Sequence, residues 1–301
     1  TTLRRIYSDR VTVICAPDGT GKSTLIREFT SRTRPDGISV KFITSAQSTG
    51  SCFSQICMSV TGKTFSEPVS DNELAVLCKQ FSTEPAKKLI LIVDCEYAAE
   101  TLLGNLRTAR LLSGCRCANF VFLTGSLNPA YMTLINSLKM TLIEREAISM
   151  TPDEIAEYSR RCGLPVNVGA VYSACHGAFL GTRLCFMLTA QGHNPGDFTN
   201  EGRLYHAVLE HRSVRSKGAM ILATAFDGAS REFCEELRSF NPVREYFGED
   251  LLSPGAIFSE LMELRREIPL LDINLKRHIC AFHPMLKHSV YMLFSTLPEN
   301  V

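Results

Sequence analysis

The sequence predicts an α/β fold: a parallel sheet in the first half, followed by a mostly helical second half. Two observations carry this expectation. Short, largely apolar β-rich runs alternate with helical segments between Val11 and Ile143, and buried strands of that kind need helices on both faces. A helix-start signature at Thr151 then marks a change of composition near Ser149.

Val11 to Cys15 (VTVIC) reads as the first strand and runs straight into a glycine-containing loop. Lys22 to Arg32 follows as a helix, with Leu25, Ile26 and Phe29 at helical spacing. Val40 to Thr44 (VKFIT) is a second strand, and Phe53 to Val60 and Asp71 to Phe81 read as helices. Leu89 to Asp94 (LILIVD) is a fully apolar strand that ends in an acid. Asn119 to Thr124 (NFVFLT) is another, and Met140 to Ile143 is a last short one.

In Thr151-Pro152-Asp153-Glu154, Thr is the N-cap, Pro takes the first helical position and Glu stands three residues after the cap. Short helices are expected from there to about Ala190. Gly192 to Gly202 (GHNPGDFTNEG) is polar and turn-rich and reads as a linker. Gly218 to Phe226 is an apolar helix. Ser230 is read as the cap of a second, with Phe233, Cys234 and Leu237 on one face, and Pro254 to Arg265 gives a third. The stretch Ile268 to Phe282 turns β-like around Asp272-Ile273-Asn274, the pattern of a small hairpin. Three helices followed by a hairpin outline a winged helix.

The totals exclude several classes. The chain has 301 residues, 45% of them hydrophobic, enough for two or three domains with sizeable cores. Lys and Arg number 32 against 31 Asp and Glu, a net charge of +1, which argues against a surface dominated by polyanion binding. The twelve cysteines are irregularly spaced and form no C-x-x-C pair. In a chain this long they read as reduced thiols acting as small hydrophobes, not as a disulfide framework or a metal site. The polar, charged start does not read as a signal peptide, and runs such as Leu89 to Val93 are too short to cross a bilayer. A cytoplasmic location without a membrane partner is expected. The chain starts without Met and ends at Leu297-Pro298-Glu299-Asn300-Val301, which reads as a piece of a longer protein.

The loop after the first strand is Ala16-Pro17-Asp18-Gly19-Thr20-Gly21-Lys22-Ser23. It matches the phosphate-binding P-loop pattern G-x-x-x-x-G-K-[ST], with Ala16 at the first glycine position, a strand before it and a helix after it. Glycines let backbone N–H groups close around phosphate oxygens. The helix N-terminus adds the positive end of its dipole. Lys22, expected in an exposed loop with no core role, is placed to reach the β- and γ-phosphates. The Ser23 hydroxyl is placed to ligate Mg²⁺, and Thr24 to help hold the α-phosphate. The first half is therefore expected to be a P-loop NTPase domain that binds ATP or ADP with Mg²⁺.

Asp94, at the carboxyl end of its strand, stands where such domains place the acid that holds Mg²⁺ through water; an ordinary strand-end aspartate is the alternative. Hydrolysis also needs a group that orients the attacking water. Cys95 cannot do this as a carboxylate would, so Glu96 is the candidate substitute. Asp94 and Glu96 are the catalytic candidates, and Ser23 and Asp94 the metal candidates.

These stretches resemble the MalT/LuxR-type STAND ATPases, nucleotide-switched regulators, over nearly the whole chain. Family members show A-P-x-G-x-G-K-T, similar to APDGTGKS here, and an apolar strand ending D-D, matched at Asp94 only. A family strand ending T-S-R is similar to Thr124-Gly125-Ser126, and a segment L-x-F-T-x-E-E-I to Ile148-Ser149-Met150-Thr151-Pro152-Asp153-Glu154-Ile155. The family's T-G-G-W-P-A-G-L-R-L is similar to the run from Cys175 to Leu184, and its F-H-P-L-L to Phe282-His283-Pro284-Met285-Leu286. The resemblance implies a P-loop nucleotide-binding domain over 1–148, a helical lid domain over 149–200 and a winged-helix domain over 201–301, with nucleotide clamped between them. It implies an ADP-bound resting state, exchange for ATP on induction, and self-association in the ATP state. A sensor and a C-terminal helix-turn-helix would follow in the full-length protein, so no DNA-reading element is expected within this chain.

The resemblance also implies roles outside the loop. Phe179 stands where a proline packs on adenine; stacking and core packing are both open. Arg183 is retained and is a candidate phosphate contact or a solvated helix arginine. His283 corresponds to a histidine that reaches the β-phosphate of ADP, and an imidazole N–H is a suitable donor. Ser126 replaces an arginine that senses the γ-phosphate, and Cys95 replaces the second acid. Those departures favour a signalling switch with slow or absent hydrolysis. A P-loop ATPase with continuous turnover and a degenerate interaction domain are the competing readings.

Overall fold

Five strands, Val11–Cys15 (β1), Ser39–Ile43 (β2), Leu89–Val93 (β3), Asn119–Thr124 (β4) and Thr141–Glu144 (β5), form one parallel sheet in the order β2-β3-β4-β1-β5. In this computed structural model the described residues are 2–44, 49–65, 71–83, 89–94, 105–127, 129–210, 212–225, 229–230, 232, 236, 255–267, 271–274 and 279–282. They fall into two units, Thr1–Ser149 and Met150–Val301.

In the first unit the strands carry helices on both faces. Arg5–Ser8 (α1) and Lys22–Thr33 (α2) cover one face. Thr49–Thr61 (α3), Asp71–Thr83 (α4), Leu106–Gly114 (α5) and Pro129–Ser137 (α6) cover the other. Alternation along the strands separates the two layers, since successive side chains point to opposite faces. Ile14, Ile90, Ile92, Val121, Leu123 and Ile143 pack against Ile6 of α1 and Ile26 of α2. Val13, Leu91, Val93, Phe120 and Phe122 pack against Ile56, Leu77, Leu112 and Ile135. With both faces covered, every residue of β3 is buried, which is why its sequence is apolar throughout. Cys52, Cys57, Cys115 and Cys117 are buried in the second layer and form no disulfide. Burial pushes the Cys57 thiol up to about 12.

This topology sets the place of the site. The chain leaves β1 for the far edge at β2 through α2 on one face, and leaves β4 for β5 through α6 on the opposite face. Connections that part in this way open a crevice at the carboxyl ends of β1 and β4.

The second unit opens with Pro152–Cys162 (α7). Thr151 Oγ1 accepts from Glu154 N at 3.2 Å, and Glu154 Oε2 accepts from Thr151 N at 2.8 Å. Both halves of the expected capping box are therefore present. Val168–Cys175 (α8), Phe179–Ala190 (α9), Glu201–Glu210 (α10), Val214–Ala225 (α11) and Ala256–Glu267 (α12) follow. Their core gathers Ile155, Val171, Leu184, Leu188, Leu204, Val208, Met220 and Leu261. The turn between α8 and α9 depends on Gly177. Its φ is +74°, and a Cβ there would lie 2.2 Å from the Met150 carbonyl oxygen.

The segment Gly192 to Gly202 is more than a linker. Phe198 joins the helical core, and Pro195 is buried at the head of a 3-10 turn, Pro195–Asp197. Its polar composition conceals these two anchoring residues. Ser230 lies in a short strand, Ala229–Ser230 (β6), which pairs antiparallel with Ile279–Phe282 (β8). Of the helix expected beyond it, Phe233, Cys234 and Leu237 lie outside the described residues. The expected hairpin strands are present: Leu271–Asn274 (β7) pairs antiparallel with β8.

Candidate nucleotide site

The loop between β1 and α2 lies at that crevice. Ala16 N donates to Thr124 O of β4 at 3.1 Å, and Ala16 is 1% exposed. Its methyl group is thus accommodated where the loop pattern ordinarily has glycine. Gly19 and Gly21 have φ of +78° and +88°, a conformation that side chains disfavour. Gly21 is the N-cap of α2 and contributes no side-chain cap, so the first-turn N–H groups keep their capacity for an anion. Thr20 Oγ1 donates to Pro17 O at 2.8 Å and closes the loop on itself.

Lys22 is not in an exposed loop, as its sequence context suggested. It is the first residue of α2 and only 9% exposed. Its Nζ donates to Ala16 O at 2.5 Å and Pro17 O at 3.2 Å, and pairs with Asp18 Oδ1 at 3.4 Å. The physical reason is that a buried ammonium must have all its protons accepted, and the carbonyls of a tightly curled loop supply acceptors within reach of its long stem. Lys22 therefore ties the loop together as well as lending it charge.

Ser23 Oγ donates to Asp94 Oδ1 at 2.7 Å. The strands that position them, β1 and β3, are separated by β4, hence by about 10 Å of sheet; the first turn of α2 bridges that gap. Asp94 is anchored in turn by its N–H, which donates to Ile43 O of β2 at 2.9 Å. A hydroxyl and a carboxylate are hard oxygen donors of the kind Mg²⁺ takes, together with phosphate oxygens and water. The pair fits that ion. Among the described residues no group of three or more His, Cys, Asp or Glu side chains could hold a metal by itself.

Arg27 is a site residue that the sequence reading missed. Its Nη2 lies 3.7 Å from Asp94 Oδ2, and its guanidinium carbon sits 4.6 Å above the Phe42 ring centroid. The available signal was its spacing: Arg27 follows Ser23 by four residues, so the two share one face of α2.

Of the other predicted residues, Thr24 is exposed in the first turn of α2. Ser126 is exposed beyond β4, and its carbonyl accepts from Thr124 Oγ1 at 2.7 Å. Phe179 opens α9 in the second unit with 38% of its surface exposed, and Arg183, one turn later, is exposed. Cys95, Glu96 and His283 lie outside the described residues. A cavity of about 300 Å³ lined by Asp9, Arg10, Lys139 and Thr141 lies at the amino ends of β1 and β5, away from the loop.

No family model matches the sequence, and no curated protein matches it. Solved structures resemble it distantly. A Walker-type ATPase of Pyrococcus abyssi is 13% identical over 96% of this chain and 93% of its own, with a TM-score of 0.39. The Aeropyrum pernix ORC1 protein, solved in complex with DNA, is 13% identical over 98% and 93%, with a TM-score of 0.35. A RuvB variant of Thermotoga maritima is 14% identical over 99% and 91%, with a TM-score of 0.31. The P-loop α/β fold of the first unit rests on its own strand order and loop. No helix among the described residues is long and apolar enough to cross a membrane.

Proposed function

We propose that this chain is the ATP- and ADP-binding switch module of a signal-responsive STAND regulator of the LuxR type, with slow or absent hydrolysis. The observation that carries nucleotide binding is the Ser23–Asp94 hydrogen bond beside a loop whose Gly19 and Gly21 are left-handed and whose Lys22 ammonium is held inside it. In that arrangement the loop and the first turn of α2 bind phosphate oxygens, while Ser23 and Asp94 hold Mg²⁺. Held by Ser23 and Asp94, Mg²⁺ would neutralise charge on the bound phosphate.

The preference for a switch over continuous turnover is supported by residue types. Cys95 follows Asp94 where a second acid would stand, and Ser126 follows β4 where a phosphate-sensing arginine would stand. The further assignments belong to the same proposal: Phe179 against adenine, Arg183 and His283 toward phosphate, Glu96 toward the attacking water, a helical lid over 149–200, a winged helix over 201–301, and self-association in the ATP state.

The experiment is to denature the purified protein and identify the released nucleotide by chromatography. Near-stoichiometric ADP is the expected result. Rapid steady release of phosphate from added Mg·ATP would favour the turnover reading. No released nucleotide, together with no binding in a Mg·ATP titration, would overturn nucleotide binding itself.

A further inference from the structure

We propose that Arg27 is a counter-charge that holds the Asp94 carboxylate until a divalent cation takes it, and so sets the cation concentration at which the site loads. The inference rests on the nucleotide-site reading above. Asp94 uses both oxygens: Oδ1 accepts from Ser23 at 2.7 Å, and Oδ2 faces Arg27 Nη2 at 3.7 Å. A cation ligated through Ser23 and Asp94 must share this carboxylate with a guanidinium, and like charges at such separations repel.

The geometry also gives Arg27 somewhere to go. Its guanidinium already stacks over Phe42 at 4.6 Å, and its side chain is 52% exposed against 19% for Asp94. It can release the carboxylate, keep its aromatic contact and be solvated. A half-exposed pair at this distance adds little to stability, so a structural staple is a poor account of it. Lys22 does not take this role, because its ammonium is engaged by Ala16, Pro17 and Asp18. Arg27 is a positioning residue here: it acts on the cation through Asp94.

The test is a Mg²⁺ titration of binding of a fluorescent ADP analogue to wild type, Arg27→Gln and Arg27→Lys, with thermal melts confirming that each is folded. The half-saturating Mg²⁺ concentration is expected to fall roughly three- to tenfold in Arg27→Gln and to stay near wild type in Arg27→Lys. Binding in EDTA should change less than the Mg²⁺ midpoint does. Normal nucleotide binding by Arg27→Gln with an unchanged or raised Mg²⁺ midpoint overturns the inference and leaves the nucleotide site standing. A wild-type protein that binds no nucleotide at any Mg²⁺ concentration overturns the site and the inference with it.

Discussion

Ser23 and Asp94 stand 71 residues apart in the chain and share a 2.7 Å hydrogen bond beyond the carboxyl ends of the strands. Asp94→Asn keeps the shape of that contact and removes its charge. The expected result is a loss of Mg²⁺-stimulated nucleotide binding of about ten- to 150-fold, the equivalent of one charge-assisted interaction of about 1.5–3 kcal/mol. Calorimetric titration with and without Mg²⁺ checks it; equal losses in both would assign Asp94 a purely structural role.

Lys22→Ala should lose nucleotide affinity by at least about tenfold and also lower stability. The second effect follows from its bonds to Ala16 and Pro17, whose carbonyls lose their buried partner. A cost of about 1–2 kcal/mol is expected, read as a shift in the urea midpoint. An unchanged ADP affinity would remove the loop from the phosphate site.

Gly177→Ala should destabilise the second unit by at least about 2 kcal/mol, because the new methyl meets the Met150 carbonyl as well as the left-handed backbone. Gly163→Ala is the control. Gly163 also has a positive φ, +63°, but nothing lies within 4 Å of the place its new methyl would take, so only the backbone cost of about 1 kcal/mol applies. Equal urea midpoints for the two variants would refute the clash at Met150.

Brief alkylation of the native protein at pH 8 should label Cys162, which is exposed, and spare Cys57, which is buried. The thiolate is the reactive form, and with its thiol pushed up to about 12 Cys57 is almost wholly protonated at that pH. Peptide mass mapping reads the difference; prompt labelling of Cys57 would show that its layer opens.

His283→Ala should release ADP several-fold faster, in proportion to the loss of one hydrogen bond of about 1 kcal/mol. Stopped-flow chase of a fluorescent analogue measures it. An unaltered off-rate would separate His283 from the nucleotide.

The parallel sheet was legible because its strands are short apolar runs set between helical ones, and β4 has the bounds read from sequence, Asn119–Thr124. The loop was legible because its chemistry is local, as was the Thr151 capping box. Long-range pairing was not. The spacing of Arg27 from Ser23 puts both on one face of α2, but its contacts with Asp94 and Phe42 arise only when β2 and β3 are neighbours. The burial of Lys22 was missed for a related reason: its acceptors are backbone carbonyls, which every residue carries and no residue type announces. Phe198 was hidden by its polar neighbours.

Strand β3 is apolar on both faces, and this separates folding from binding at one point in the chain. Deleting one residue within Leu89–Val93 would exchange the side chains offered to the two layers, yet each layer would still receive aliphatic groups. The same slip would draw Asp94 back by about 3.3 Å and turn it toward the opposite face, away from Ser23. A shift of that kind would leave a foldable protein with its loop intact and its carboxylate misdirected, so the hydrophobic core offers no safeguard for the reading frame of the site.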